Sequence, residues 1–147
     1  MANHYEQDFF TWTQQQAAAL RSGQFNALDP QHLADEVEEM GRSEQRALAS
    51  RLATIIAHLL KLQVQIERTP TNEKSWCNSV ATQRRQVRRL LHKNPGLKKP
   101  EIMTDALESA WDDGRDLAIR ETGIDPDRFP IDNPYAPDQI IDESDQV

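Results

Sequence analysis

The sequence contains little of what several protein classes require. Only one of its 147 residues is a cysteine, Cys77, which excludes an internal disulfide framework and a zinc site built on cysteines. It has no uninterrupted run of about 18 apolar residues, so we expect no membrane-spanning segment. The first residues include acids and no apolar stretch, which is unlike a signal peptide. These absences together predict a cytoplasmic protein.

Aromatic and apolar residues are also scarce. Aromatic residues make up 6% of the chain and apolar residues 37%, against a usual apolar share of about 45–50%. The length of 147 residues suits one domain of about 100–150 residues with a single core. We predict a helical domain over residues 1–123. A tail rich in proline and aspartate, residues 124–147, is expected to pack on that domain and to end in disorder.

The net charge of −7 hides a strong segregation of charge along the chain. Residues 74–100 hold eight basic side chains and no acid, whereas residues 101–147 hold fourteen acids and three bases. Residues 1–46 hold eight acids and three bases. Such asymmetry indicates electrostatic pairing, either within the fold or with an outside anion. Pairing within the fold is the interpretation that we expect first.

Hydrophobic periodicity predicts four helices and no strand. They cover about residues 5–22, 30–68, 72–93 and 100–122, and short connections join them. Four amphipathic helices with short connections predict an all-α, antiparallel helical bundle with an irregular C-terminal tail.

The second helix is unusually long, and its apolar residues keep one phase along its whole length. Leu33, Val37 and Met40 begin this apolar stripe and are expected on the core face. Gly41 follows them directly, and glycine weakens a helix interior. We therefore expect a bend at Gly41, or two helices that meet there.

An acidic segment on the second helix is a candidate metal site. Glu36 and Glu39 are three residues apart, and His32 lies one turn before Glu36. Carboxylate oxygens bind Mg²⁺ or Mn²⁺, so these residues could serve a hydrolase of phosphate compounds. The pattern is similar to the first metal motif of all-α nucleoside triphosphate pyrophosphohydrolases, but the second motif of those enzymes is missing on the following helix. We therefore expect a solvated acidic face and no cofactor, and keep the metal site as the alternative.

The third helix carries a dense group of arginines. Arg84, Arg85, Arg88 and Arg89 are candidate contacts to an anion or to a partner, because guanidinium groups bind phosphates and carboxylates in pairs of hydrogen bonds. Pairing with acids of residues 101–147, such as Asp105, Glu108 and Asp112, is expected first. The alternative is nucleic-acid binding by residues 83–99. The acidic net charge and the lack of aromatic residues among the arginines argue against it.

A histidine and a lysine interrupt the most apolar run of the chain. His58 and Lys61 are one turn apart within residues 55–62, which predicts a partly buried polar site. A half-buried histidine needs a hydrogen-bond partner. A carboxylate from another helix would serve, and would raise the pKa of His58.

Segments along nearly the whole chain share a pattern with a known family. These segments are Tyr5-x-x-Asp8-Phe9-x-x-Trp12 with Gln16, Leu28-Asp29, Glu36-Val37-Glu38-x-Met40-Gly41, Ser43 with Arg46, His58-Leu59-Leu60-Lys61 with Gln65, Trp76, Arg84-Arg85, Glu121-Thr122-Gly123, Phe129-Pro130 and Pro134-Tyr135. In combination they resemble a widespread bacterial family named domain of unknown function twenty-nine. The resemblance implies a small all-α domain and brings no activity with it.

These observations predict a non-enzymatic protein-interaction module. The second helix is longer than the other helices can cover, and an uncovered apolar face needs burial. We therefore expect a protein partner or a homodimer, and neither a membrane nor a nucleic acid as partner.

Overall fold

The computed structural model describes residues 4–141. Helices make up 83% of the structure, with no strand in the described range, which confirms the all-α helical bundle. The helices are α1 (His4–Gln7), α2 (Phe9–Ser22), α3 (Pro30–Val64), α4 (Pro70–Lys93), α5 (Pro100–Thr122) and α6 (Pro137–Ile141). Short 3-10 helices occupy Phe25–Ala27, Pro95–Lys98 and Pro126–Arg128.

Local sequence signals explain where the helices begin and end. The helices α3, α4, α5 and α6 all begin at a proline, which suits the first helical position because its missing N–H has no partner there anyway. The side chain of Thr69 caps α4 by accepting a hydrogen bond from the backbone N–H of Asn72 at 3.1 Å. Gly23 and Gly123 end α2 and α5 with φ angles of 73° and 67°, a left-handed conformation that favours glycine.

Helix α3 is a single helix of 35 residues, about 52 Å long. It continues through Gly41 without interruption and ends at Val64. The expectation of two separate helices is therefore wrong, and so is the predicted end near Arg68. All nine buried side chains of α3 lie at Leu48 or beyond. Only the second half of the helix therefore contributes to a core.

Contacts divide the chain into two compact units, Met1–Ser43 and Glu44–Val147. In the N-terminal unit, α2 runs antiparallel to the first turns of α3. Tyr5 bonds to Glu36. Trp12, which follows Tyr5, bonds to Asp29, which precedes Glu36. The buried residues of α2 are Trp12, Gln16 and Ala19.

In the C-terminal unit, α3 and α4 run antiparallel. Arg51 donates a hydrogen bond to Gln83 at 3.2 Å. Lys61, which follows Arg51, lies over the ring of Trp76, which precedes Gln83. Helix α5 returns alongside α3, since Lys61 also pairs with Glu121. The core cluster of this unit has eighteen buried residues, from Leu48 to Ile140.

Helices α3 and α5 approach each other closely at Gly114. A Cβ atom at this position would lie 2.7 Å from the carbonyl oxygen of Ala53 and 2.9 Å from Cγ2 of Ile56. Such distances are shorter than van der Waals contact, so the absence of a side chain sets the spacing between the two helices.

The segment after α5 packs on the C-terminal unit. Phe129 and Ile140 are buried within its core. Trp111 donates its indole N–H to the carbonyl of Ile131 at 3.2 Å, and Arg115 donates to the carbonyl of Pro130 at 2.7 Å. The predicted disordered end, residues 142–147, lies outside the described residues.

One helix is long and apolar enough to cross a membrane by length and composition alone. A window of 18 residues in Pro30–Val64 has a mean hydropathy of 1.3, and half of that window is buried inside the structure. Charged residues interrupt the helix, so it contains no uninterrupted apolar run of about 18 residues. The core helix of a soluble protein meets the same criterion, which makes this weak evidence for a membrane.

Candidate functional site

Stacked rings hold the N-terminal unit together. The rings of Tyr5 and His32 lie face to face, with centroids 3.8 Å apart and an interplanar angle of 15°. Trp12 meets Tyr5 edge-on at 4.8 Å, and Phe9 stacks on Trp12 at 5.7 Å. Each such pair stabilises by about 0.5–1.5 kcal/mol beyond the burial of area. The rings therefore fix α1 and α2 against the start of α3.

The carboxylate of Asp29 is the polar centre of this ring cluster. It accepts hydrogen bonds from Nδ1 of His32 at 2.6 Å, from the indole of Trp12 at 3.3 Å and from the backbone N–H of His32 at 3.3 Å. The backbone N–H of Asp29 donates to Oε1 of Gln16 at 2.8 Å. The hydrogen bond from His32 is the main reason that the pKa of Asp29 lies below its ordinary value. Asp29 is therefore ionised at neutral pH and caps α3.

The predicted metal ligands form hydrogen bonds with other side chains of the protein. Glu36 accepts a hydrogen bond from the hydroxyl of Tyr5 at 2.6 Å, which raises the pKa of Tyr5 to about 12. His32 is bonded to Asp29, and Glu39 accepts a hydrogen bond from Arg42 at 3.1 Å.

Within residues 4–141, no group of three or more histidine, cysteine, aspartate or glutamate side chains could hold a metal ion. The residues that we considered as ligands of Mg²⁺ or Mn²⁺, His32, Glu36 and Glu39, therefore do not form such a group.

The N-terminal unit exposes much of its apolar surface. Among the described residues, six of the eight large apolar side chains that remain exposed belong to this unit: Phe9, Phe10, Leu20, Phe25, Val37 and Met40. Val37 and Met40 are 65% and 69% exposed, so the expectation that they lie in the core is wrong. Periodicity identifies the apolar side of a helix, but it does not say whether another element covers that side.

The four arginines of α4 separate into one buried and three exposed residues. Arg84 is only 2% exposed. Its Nε donates to the carbonyl of Ile140 at 3.0 Å, and its Nη2 donates to the carbonyl of Gln139 at 2.6 Å. These carbonyls lie near the C-terminal end of α6. The C-terminal end of a helix carries a partial negative charge. Arg84 therefore attaches the C-terminal segment to the bundle.

The other three arginines point to solvent. Arg85 donates one hydrogen bond to Thr82 of its own helix at 3.3 Å. Arg88 and Arg89 are exposed, and neither forms an ion pair with any residue from 4 to 141. The expected pairing with acids of α5 is therefore not found in the part of the chain that the structure describes.

His58 and Lys61 lie where α3, α4 and α5 meet. Lys61 is 4% exposed. It forms an ion pair with Glu121 and lies 5.7 Å from the ring centroid of Trp76. The buried Nδ1 of His58 has no hydrogen-bond partner among residues 4–141. The carboxylate at this place, Glu121, bonds to Lys61 and not to His58.

The pKa of His58 is therefore lowered, whereas the sequence led us to expect a rise. Burial penalises the imidazolium most, the positive charge of Lys61 adds to this, and Glu121 opposes it. Because the folded state binds the proton less readily than the unfolded chain, protonation of His58 favours unfolding.

We expect the melting temperature of the C-terminal unit to fall as the pH is lowered from above 6.5, the ordinary pKa of histidine. His58→Gln removes the titrating group and should reduce the fall between neutral and mildly acidic pH. The exposed His92 supplies the control, since His92→Gln should keep the full dependence. Thermal unfolding followed by circular dichroism measures both. An equally steep fall in His58→Gln would contradict this role of His58.

Two residues that organise the structure, Tyr5 and Asp29, were not among the predicted site residues. In the sequence they stand out only within the segments shared with the known family. Aromatic residues at Tyr5, Phe9 and Trp12 recur every three to four positions, which was the available signal for one aromatic side of the helix. The contact of that side with His32 depends on the turn between α2 and α3, and no local pattern reveals it.

The fold and its surfaces define a helical-bundle protein with an apolar N-terminal unit and a basic helix. The chain belongs to the family of the domain of unknown function DUF29, whose model matches residues 4–144. Comparisons with curated proteins and with solved structures found no match. The family is uncharacterised. Membership confirms the resemblance seen in the sequence and assigns no activity.

Proposed function

We propose that this protein is a non-enzymatic interaction module whose N-terminal unit binds a second copy of the chain. The apolar stripe of α3 carries the proposal. Leu48, Leu52 and Ile55 on this stripe are fully buried. Val37 and Met40 continue the same stripe towards the N-terminus and are about two-thirds exposed. The stripe of one helix is thus buried at Leu48, Leu52 and Ile55 and exposed at Val37 and Met40.

The apolar area that the N-terminal unit exposes approaches the area that one partner of a dimer buries. The six exposed apolar side chains of the N-terminal unit together present on the order of 600 Å². A stable interface of ordinary size buries about 800 Å² from each partner. At about 25 cal/mol per Å², covering this surface is a substantial driving force for association.

A second copy is the occupant that suits this surface best. A two-fold axis brings the same patch of both chains together, so one apolar stripe can cover the other. Two of the acids beside the stripe already have partners, since Glu36 bonds to Tyr5 and Glu39 to Arg42. They need not lose their hydrogen bonds when the stripe is covered. Because acids flank the stripe in both copies, added salt should not weaken the dimer.

Sedimentation velocity at tens of micromolar chain tests the proposal. We expect a dimer for the natural sequence and a monomer for Val37→Glu/Met40→Glu, with unchanged helix content. Ile131→Glu is the matched control, because Ile131 is 83% exposed and lies outside the stripe. It should remain dimeric. A compact monomer for the natural sequence, or a dimer for the double variant, would contradict the proposal.

We further propose a cytoplasmic location. The second half of α3 supplies nine buried side chains to the C-terminal unit, so its apolar side is engaged in packing and not free for lipid. The protein should remain in the supernatant when a cell lysate is ultracentrifuged. Recovery in the membrane pellet would argue against this location.

A further inference from the structure

Exposed basic residues lie on the side of α4 that faces solvent and in the segment that follows it. We call this surface the basic face and define it as Arg85, Arg88, Arg89 and Lys93 of α4 together with Lys98 and Lys99, all of which are exposed. On the helix these residues recur every three to four positions, so they follow one side of it. Residues 74–100 contain no acid. The helix itself therefore contributes no negative charge to this surface.

The net charge led us to expect no nucleic acid as partner. From this surface we propose instead that the protein binds the phosphate backbone of a nucleic-acid duplex without reading its sequence. The guanidinium group of an arginine can donate two parallel hydrogen bonds to the oxygens of one phosphate. Arg85 and Lys93 are eight positions apart, about 12 Å along the helix. Phosphates of one strand follow each other every ~3.4 Å along the duplex axis. The basic face can thus contact several phosphates at once.

The arginines of the basic face are available for such contacts. Arg88 and Arg89 form no ion pair within the described chain, and Arg85 has only its hydrogen bond to Thr82. An exposed arginine keeps its charge at any physiological pH. Arg84, in contrast, is committed to the carbonyls of Gln139 and Ile140 and is not part of the surface.

The chemistry of the basic face fits phosphate better than it fits a protein. Protein interfaces rely on buried aromatic and apolar anchors surrounded by polar groups. None of the eight large apolar side chains exposed in the described residues lies between residues 74 and 100. Phosphate contacts require only cations and hydrogen-bond donors. A duplex is favoured over a single strand, because single strands are bound by stacking bases on aromatic side chains.

The acidic remainder of the chain restricts how a duplex can bind. With a net charge of −7, surfaces other than the basic face repel a polyanion. Binding is therefore confined to one orientation. With about five cations in contact, the logarithm of the binding constant should fall with a slope of about −4 against the logarithm of salt concentration.

Fluorescence anisotropy with a labelled DNA duplex of mixed sequence tests the proposal, with an RNA duplex and a single strand as further probes. Arg88→Gln/Arg89→Gln should weaken binding at least tenfold and reduce the salt slope by about 2. Arg21→Gln/Arg120→Gln removes the same charge from exposed positions outside the basic face, and should bind within twofold of the natural sequence. Both double variants should have the same melting temperature as the natural sequence.

Several outcomes would overturn the proposal. They are no binding of either duplex at low salt, equal weakening by the two double variants, and tighter binding of the single strand. Tighter binding of poly-glutamate than of either duplex would assign the basic face to an acidic protein instead. The proposal does not depend on the dimer, so the monomeric variant Val37→Glu/Met40→Glu should still show a steep salt dependence. The expected opposite responses to salt keep the two proposals distinguishable.

Discussion

Replacing Arg84 with alanine is expected to lower the free energy of unfolding of the C-terminal unit by about 4 kcal/mol. The guanidinium donates to the carbonyls of Ile140 and Gln139 at 3.0 and 2.6 Å, and each hydrogen bond from a charged donor contributes about 1.5–3 kcal/mol. Alanine leaves these acceptors without their donor and opens a cavity beside Ile140, which is fully buried. Urea denaturation followed by circular dichroism measures the loss.

The neighbouring residue supplies the control for this prediction. Arg85 is exposed, and Arg85→Ala should change the free energy of unfolding by no more than about 0.5 kcal/mol. Hydrogen exchange adds a local measurement, because the amides of α6 should lose protection in Arg84→Ala and keep it in Arg85→Ala. If both variants were equally stable, Arg84 would not be what attaches the C-terminal segment.

Replacing Gly114 with alanine should destabilise the same unit by about 2 kcal/mol. The added Cβ would lie 2.7 Å from the backbone oxygen of Ala53, and a backbone atom cannot move aside as the end of a flexible side chain can. Overpacking of this kind costs about 1–3 kcal/mol. The better helix propensity of alanine offsets up to about 1 kcal/mol of the cost. Thermal unfolding should show a melting temperature several degrees lower.

Gly96 is the matched position for this test. It lies in the same unit, and a Cβ atom there would have no neighbour within 4 Å. Gly96→Ala should therefore leave the melting temperature nearly unchanged. A stability of Gly114→Ala equal to that of Gly96→Ala would show that α3 and α5 can separate without cost.

Helix type and most helix ends could be predicted from the sequence because their causes are local. Asp29 before Pro30 is a start signal, and Gly123 is a stop signal. Thr69 before Pro70 indicated the end of the second helix, and the structure shows that it also caps the start of α4. Each acts through one or two hydrogen bonds or one backbone conformation. The continuity of α3 at Gly41 was harder to judge, because a single glycine weakens a helix by only about 1 kcal/mol and neighbouring turns can offset that.

The roles of individual arginines could be predicted only in part. Val80, Val87 and Leu91 are buried on α4, and Arg84 completes their spacing on the same side of the helix. That spacing was a signal for burial, although arginine is rarely buried without a partner. The partner is a pair of backbone carbonyls some 55 residues away in sequence, which no charge pattern reveals. For the exposed Arg88 and Arg89, charge alone predicted an ion pair that the described chain does not form.

The exposure of the apolar stripe at the start of α3 could not be predicted from the sequence. The pattern at Val37 and Met40 is the same as the pattern at Leu48 and Leu52, yet the first pair is exposed and the second buried. The difference depends on which elements reach each half of the helix. Tertiary packing decides this, and periodicity carries no information on it.

The position of Ile140 in the core has a consequence for the order of events during synthesis. The N-terminal unit is complete at residue 43, whereas the C-terminal core needs Ile140 and the carbonyls that Arg84 binds. At about 5–20 residues per second, a ribosome takes on the order of ten seconds to cover this distance. During that interval, all residues of the N-terminal unit have been made, whereas the core of the C-terminal unit still lacks Ile140. The apolar surface of the N-terminal unit is then the first that a chain from a neighbouring ribosome can meet, so pairing of the kind proposed above can begin before either core is complete.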